Sequence, residues 1–317
     1  MTCTVILVGD GPPRMLAKDE ALAYRGPGFV WTHVESAGDD ALPELMSADI
    51  PDVAANALVA TETRPRCDRI EEGAIVNIRG PAAVETEDSD MLVSIRMWAR
   101  AGKVDSVTRR PLAATSKVMA KMEAGKILDP GDLVAGFARE ISAALDPQIA
   151  DLGDRLDDCE SELTDGNKFR LRTAITGIRS EAIAYRRFVA PDRDALLTLA
   201  ALDFDWLADD DRLHIREAAD RFARMAEELE AVRERSALLH EQLTDLRAEE
   251  IDQRALLISI VAFIFLPLTF LTGLLGMNVE GIPYAHTHYA FWGVVGVCVL
   301  IAVGVIAWFI RRQWLRR

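Results

Sequence analysis

Residues 255–310 read ALLISIVAFIFLPLTFLTGLL (Ala255–Leu275), GMNVEGIPYAHTHYA (Gly276–Ala290) and FWGVVGVCVLIAVGVIAWFI (Phe291–Ile310). The outer runs, of 21 and 20 residues, contain no charged side chain, and each is long enough to cross a hydrocarbon core of about 30 Å as a helix. Between them lie fifteen residues with glycines, a proline, an asparagine, a glutamate and histidines. This pattern predicts two transmembrane helices, residues 255–275 and 291–310, joined by a short polar hairpin at 276–290.

Flanking charge orients the hairpin. Arg311, Arg312, Arg316 and Arg317 follow the second run in a basic tail, 311–317, and Arg247 and Arg254 precede the first. The connecting loop has no Lys or Arg, so both outer flanks are expected in the cytoplasm and the loop on the opposite side. Tyr289, Trp292 and Trp308 fall near the expected interfaces, where amphipathic rings are favoured. The chain is therefore expected in a plasma membrane, multi-pass, with both termini cytoplasmic.

Upstream, apolar or small residues recur at Ile215, Ala218, Phe222, Met225, Leu229, Val232, Ser236, Leu239, Leu243 and Leu246, in steps of three and four. That is a heptad stripe, predicting a coiled-coil stalk over 209–254 that continues into the first span. No glycine or proline interrupts it before Pro267. A helix running on to the end of that span would be about 100 Å long at 1.5 Å per residue. Its stripe requires partners, either helices of the same chain or further copies.

The preceding chain divides in two. Residues 1–110 alternate β-branched segments (CTVILV, FVWTHV, AIVNIRG, MLVSIRMWA, VDSVTRR) with glycine-rich breaks and with short helical stretches at 42–46 and 53–60, an α/β domain. Residues 111–208 turn helical, with helices near 113–124, from Pro130 to about Leu163 with Asp132 as a capping candidate, and from Phe169 to about Phe188. TDGNK and APDRD break the pattern.

Net charge is −14; 36 basic residues less the four arginines of the tail, against 50 acidic ones, give the rest of the chain −18. Such a body argues against nucleic acid and suits cations, although solvated acidic helix faces give the same composition. Cys3, Cys67, Cys159 and Cys298 are scattered without a pairing pattern, as expected in a reducing compartment.

Within the first span Ile258, Ala262, Leu266, Thr269 and Gly273 share a helix face, which by itself reads as a packing face or as a pore. Pro267 removes a hydrogen bond from the carbonyl of Phe263, compatible with a simple kink or with a functional one. His286 and His288, with Glu280, are candidate zinc ligands in the loop, and loop solubility is the competing account. Glu249, Glu250 and Asp252 form an acidic collar or pair with Arg247 and Arg254. His33, His214 and His240 read as packing or surface residues.

Gly276-Met277-Asn278, closing the first of two C-terminal spans, resembles the CorA superfamily of divalent-cation transporters. Within it, FLPLTFLTGLLGMNVEGIP (265–283), ATETRPRCDRIEEGAIVNIRG (60–80), MLVSIRMWARAGKVDSVTRRPL (91–112) and AIAYRRFVAPDRDALLTL (182–199) are similar to the ZntB-like zinc transporter branch, so the likeness covers nearly the whole chain. It implies an α+β cytosolic funnel, a long stalk helix, a pore-lining first span and a homopentamer in the bacterial inner membrane. It further implies transport of Zn²⁺ or another divalent ion, with no prosthetic group, and an ion-selecting ring at Gly276, Met277 and Asn278. With that ring, the stripe from Ile258 to Gly273 becomes the expected pore face. A magnesium, cobalt or nickel channel of the same fold, and a membrane-anchored coiled-coil protein without transport, are the alternatives. No phosphate-binding loop, catalytic triad or ATP-binding signature is present in the sequence, so an enzyme is not expected and coupling must draw on an ion gradient or the membrane potential.

Overall fold

The β-branched segments of the N-terminal region form one mixed sheet. A computed structural model describes residues 2–9, 12–24, 26–36, 50–61, 64–84, 92–163, 167–277, 282 and 287–314. It divides into two units, Met1–His240 and Glu241–Arg317. In the first, strands β1 (Thr2–Val8), β2 (Arg14–Met15), β3 (Phe29–Glu35), β4 (Arg66–Ile70), β5 (Gly73–Pro81), β6 (Leu92–Arg100) and β7 (Lys103–Thr108) build a seven-stranded sheet ordered β2-β1-β3-β7-β6-β5-β4. All neighbours are antiparallel except β3 and β7, which pair in parallel with Val30 opposite Lys103. The short helices α1 (Lys18–Ala23) and α2 (Asp52–Val59) belong to this region.

Alternation along the strands sends side chains to two covered faces. On one, Val34, Ile75, Trp98 and Val107 pack against Ala54 and Leu58 of α2. On the other, Trp31 meets Phe137 edge-on with ring centroids 5.8 Å apart. Strands β2 and β4 and helix α1 escape the sequence reading because β2 has two residues and β4, RCDRI, is charged and largely exposed. Charged, short strands are typical sheet edges. The helix expected at 42–46 lies outside the described residues.

Helices α3 (Ala113–Glu123), α4 (Pro130–Ser161) and α5 (Lys168–Ala201) follow. The cap of α4 is Asp129, not Asp132: the Asp129 carboxylate accepts the Asp132 N–H at 2.8 Å, while Asp132 accepts the Leu128 N–H at 2.9 Å. Two backbone donors are thus satisfied by neighbouring carboxylates, the logic of a capping box. Helix α5 also departs from expectation, running through Pro191 instead of ending near Phe188. The proline deletes one hydrogen bond, but Val189, Ala195, Leu196 and Leu199 on either side are buried, and that packing outweighs the loss.

Arg212 closes the turn after α5, donating to the carbonyls of Ala200, Leu202 and Phe204. Helix α6 then runs unbroken from Asp209 to Leu275. Within the first unit its stripe, Ile215, Ala218, Phe222, Met225, Leu229, Val232, Ser236 and Leu239, is buried throughout. Ion pairs of Arg235 with Asp157 (2.5 Å) and Glu160 (2.7 Å) on α4, and of Glu230 with Arg186 on α5 (2.9 Å), flank it. The partners of the stripe here are helices of the same chain. The second unit comprises the rest of α6 and helix α7 (Ala290–Trp314).

Candidate ion pathway

The two helices of the second unit are long and apolar enough to cross a membrane. Ile260, Ile264, Leu268, Leu271 and Leu275 of α6 are half-buried, and Phe263 meets Phe309 of α7 edge-on at 6.3 Å. At about 100° per residue, this half-buried row lies roughly opposite Ile258, Ala262, Leu266, Thr269 and Gly273. All five residues of that second row are exposed, Ile258 at 70% and Leu266 at 72%, and nothing lies within 4 Å of a Cβ built on Gly273. Helix α7 covers one side of α6 and leaves the predicted pore face uncovered.

Polar groups on this span are satisfied locally. Ser259, Thr269 and Thr272 donate to the carbonyls of Ala255 (2.8 Å), Phe265 (2.7 Å) and Leu268 (3.0 Å). Hydroxyls bonded back to their own helix cost little in hydrocarbon. The uncovered face is therefore aliphatic and small, with one threonine whose proton is already engaged.

Gly276 ends α6, its N–H donating to the Thr272 carbonyl at 2.9 Å. Among the described residues the glycines with positive φ are Gly28, Gly102 and Gly125, so Gly276 does not serve by left-handed backbone freedom. It serves by room, since a Cβ there would sit 3.0 Å from the Thr272 carbonyl oxygen. Met277 follows, 46% exposed. Asn278, Glu280 and His286 lie outside the described residues, and His288 stands in an exposed turn just before α7. Farther down α6, Glu250 pairs with Arg254 at 3.9 Å, in keeping with the surface-pair account of that acidic stretch.

In the first unit His33 is a core residue, 2.9 Å from the Ser106 hydroxyl, and burial pushes its pKa down to about 4. It is neutral at physiological pH. His214 lies near Glu217 (3.3 Å) and Asp210 (3.5 Å) on the surface of α6. Asp129, Asp132 and Asp211, distant in sequence, come together with ligand oxygens within 4.8 Å of one another. Spacing gives no hint of this cluster, because Asp211 starts α6 while the other two start α4. The described bonds of these acids serve the helix starts: Asp211 accepts the Ala208 N–H at 2.9 Å.

A sequence profile described as CorA-like Mg2+ transporter protein matches residues 26–312. The chain belongs to the CorA-like family. Among relatives, it is similar to the zinc transport protein ZntB of Pectobacterium carotovorum, 30% identical over 287 residues that cover 90% of this chain and 88% of that protein. Among solved structures, the full-length CmaX protein superposes with a TM-score of 0.80 at 30% identity, covering 99% of this chain and 98% of CmaX. The CorA magnesium transporter of Methanocaldococcus jannaschii gives a TM-score of 0.82 at 17% identity, with 98% of each chain covered, a likeness of fold. Within the CorA-like family the chain falls in the ZntB-like branch, and the family is one of transporters, not enzymes.

Proposed function

We propose that this CorA-like chain transports divalent metal cations across the membrane, with zinc as the principal cargo, as a ring of five identical subunits. The carrying observation is the exposed face Ile258, Ala262, Leu266, Thr269 and Gly273, opposite the side of α6 that α7 covers. An apolar face left bare on a helix already partnered behind needs either lipid or further copies, and a ring about that face turns it inward. In such a ring Leu266 and Ile258 form dewetting constrictions, and Thr269 and Gly273 leave a wider, milder stretch.

At the outer mouth, Gly276, Met277 and Asn278 select the ion. The amide oxygen of Asn278 is a neutral hard acceptor that hydrogen-bonds the water shell of a cation without stripping it, so the ion is recognised and still released. Glu280, His286 and His288 raise the local cation concentration at the loop. Both termini lie in the cytoplasm, by the arginines that flank the spans.

The test is uptake of radiolabelled zinc into proteoliposomes. Asn278→Ala is expected to lower uptake at least about tenfold, a loss of roughly 1.4 kcal/mol of discrimination. Equal uptake by variant and wild type removes Asn278 from the mechanism, and no uptake by either overturns the transport reading. Competition by magnesium, cobalt and nickel in the same vesicles decides between zinc and the magnesium named in the family's description.

A further inference from the structure

Asp192, on α5, is completely buried. Its Oδ1 accepts the backbone N–H of Arg79 on β5 at 3.0 Å, and its Oδ2, also shut off from water, meets no donor among the described residues. The bond has its reason in the sheet. Strand β4 faces β5 from Gly73 to Asn77, with Arg66 opposite Asn77 at the end, so Arg79 lies beyond it. On the other side β6 continues, with Ser94 opposite Arg79. The Asp192 carboxyl therefore stands in for a strand and supplies the acceptor that a longer β4 would have given.

Helix α5 is locally weak at this same turn. Pro191 has no N–H, so the Arg187 carbonyl loses its intrahelical partner. The helix keeps its course there through the burial of Val189, Ala195 and Leu196 and through the bond from Asp192 to the sheet. A proline break, a buried acid and an open strand edge thus meet at one joint between α5 and β5.

The charge state of the acid decides how well that joint holds. A buried carboxylate with an unpartnered oxygen costs several kcal/mol, whereas a neutral polar group left without a partner costs about 1–3 kcal/mol. Burial accordingly raises the Asp192 pKa well above the usual carboxylate value, against the pull of the Arg79 charge. Other charged groups on the surrounding elements are engaged or exposed: Arg66, Asp68 and Arg69 of β4 lie on the surface, Glu140 of α4 pairs with Lys121 at 2.5 Å, and Arg193 and Asp194 of α5 pair with each other at 2.7 Å. Cys67 of β4 is buried and neutral, its thiol pushed up to about 12. Neither these groups nor the half-buried Arg139 of α4 and Arg221 of α6 join Arg79 in acting on the Asp192 charge.

We propose that Asp192 is a proton lock on the joint between α5 and β5: the carboxyl keeps its proton while the joint is closed and gives it up to water when the joint opens at Pro191, so alkalinity loosens the first unit at this place. Once open, Asp192 ionises at its ordinary value of 3.8. The open form then binds one proton fewer than the closed form, and each pH unit favours opening about tenfold. The stability that the lock contributes is full below about pH 4 and declines as pH rises, until the closed form itself ionises. The device needs no bound ion, so it stands apart from the proposed transport of a cation.

The experiment is hydrogen exchange of the full-length protein in detergent, read by mass spectrometry over residues 184–196 and 75–81 between pH 7 and 9 and corrected for the intrinsic acceleration of exchange by base. This window lies above the Asp211 value of about 7, so that acid does not supply the slope. Wild-type protection is expected to fall about tenfold per pH unit in both segments. Asp192→Asn keeps an oxygen for the Arg79 N–H and cannot ionise, so its protection is expected to stay level. At pH 7 the infrared difference spectrum, wild type minus Asp192→Asn, is expected to show the carbonyl band of one protonated carboxylic acid. Protection that is flat with pH in the wild type, a reading that holds whether or not the variant folds, overturns the proposal. An equal fall in Asp192→Asn, or a difference spectrum without the acid band, overturns it as well.

Discussion

Asp211 is 2% exposed, and its carboxyl fills the place where a Cβ on Gly131 would go. Burial first, then the charge of Asp129, pushes its pKa up to about 7 from the ordinary 3.8. Between about pH 4 and 7 the folded chain thus holds a proton that the unfolded chain has lost, so stability falls as pH rises through that window. Asp211→Asn keeps an oxygen for the Ala208 N–H and is expected to flatten this decline. Thermal unfolding at pH 5 and 8 checks it, and parallel slopes in the two proteins would place the Asp211 pKa back in the ordinary range. At Gly80 a Cβ would lie 2.8 Å from Ile141 Cγ1, so Gly80→Ala is expected to cost about 1–3 kcal/mol in denaturant unfolding. Adding Ile141→Ala should recover part of that loss beyond additivity, and strictly additive effects would mean that the two positions do not share the space.

Helix α6 is one element in two settings. Its cytosolic stripe is fully buried at Ile215, Phe222 and Leu229, whereas Ile258 and Leu266 on the spanning part are largely bare. Leu229→Ala should therefore destabilise the first unit by about 2–5 kcal/mol, read by urea unfolding monitored by circular dichroism. Leu266→Asn should leave that unfolding unchanged and raise leak conductance in planar bilayers by hydrating the proposed constriction; unaltered conductance would place the gate elsewhere. The heptad spacing of α6 was legible because one periodicity persists through the cytosolic part of the helix. The continuity of α5 through Pro191 was not, because a local breaker was outweighed by distant packing partners.

At the scale of the whole molecule, the exposed apolar surfaces of α6 and α7 call for lipid on one side and copies of the chain on the other. Chemical cross-linking in native membranes is expected to give a ladder ending at five subunits, and a ladder ending at two would exclude the proposed ring. A reporter fused after Arg317 that fluoresces only in the cytoplasm is expected to be active, since arginines flank both spans at the ends away from the connecting loop, the pattern of a cytoplasmic face.

The sequence by itself determined the two spans, the long helix and the family, because each is written in a local period, an uncharged run or a contiguous motif. It also marked Ile258, Ala262, Leu266, Thr269 and Gly273 as one face, while only the packing of α7 against the other side showed that this face is left open. Gly276 was legible as the end of the span, but its role as a matter of space depended on where the Thr272 carbonyl lies. That six arginines, spread from Arg64 to Arg187, line one cavity of about 700 Å³ was invisible in an acidic composition, and only strand pairing and the docking of α5 gather them. Charge summed along a chain averages away what a fold concentrates at one point, and that concentration belongs to the tertiary structure alone.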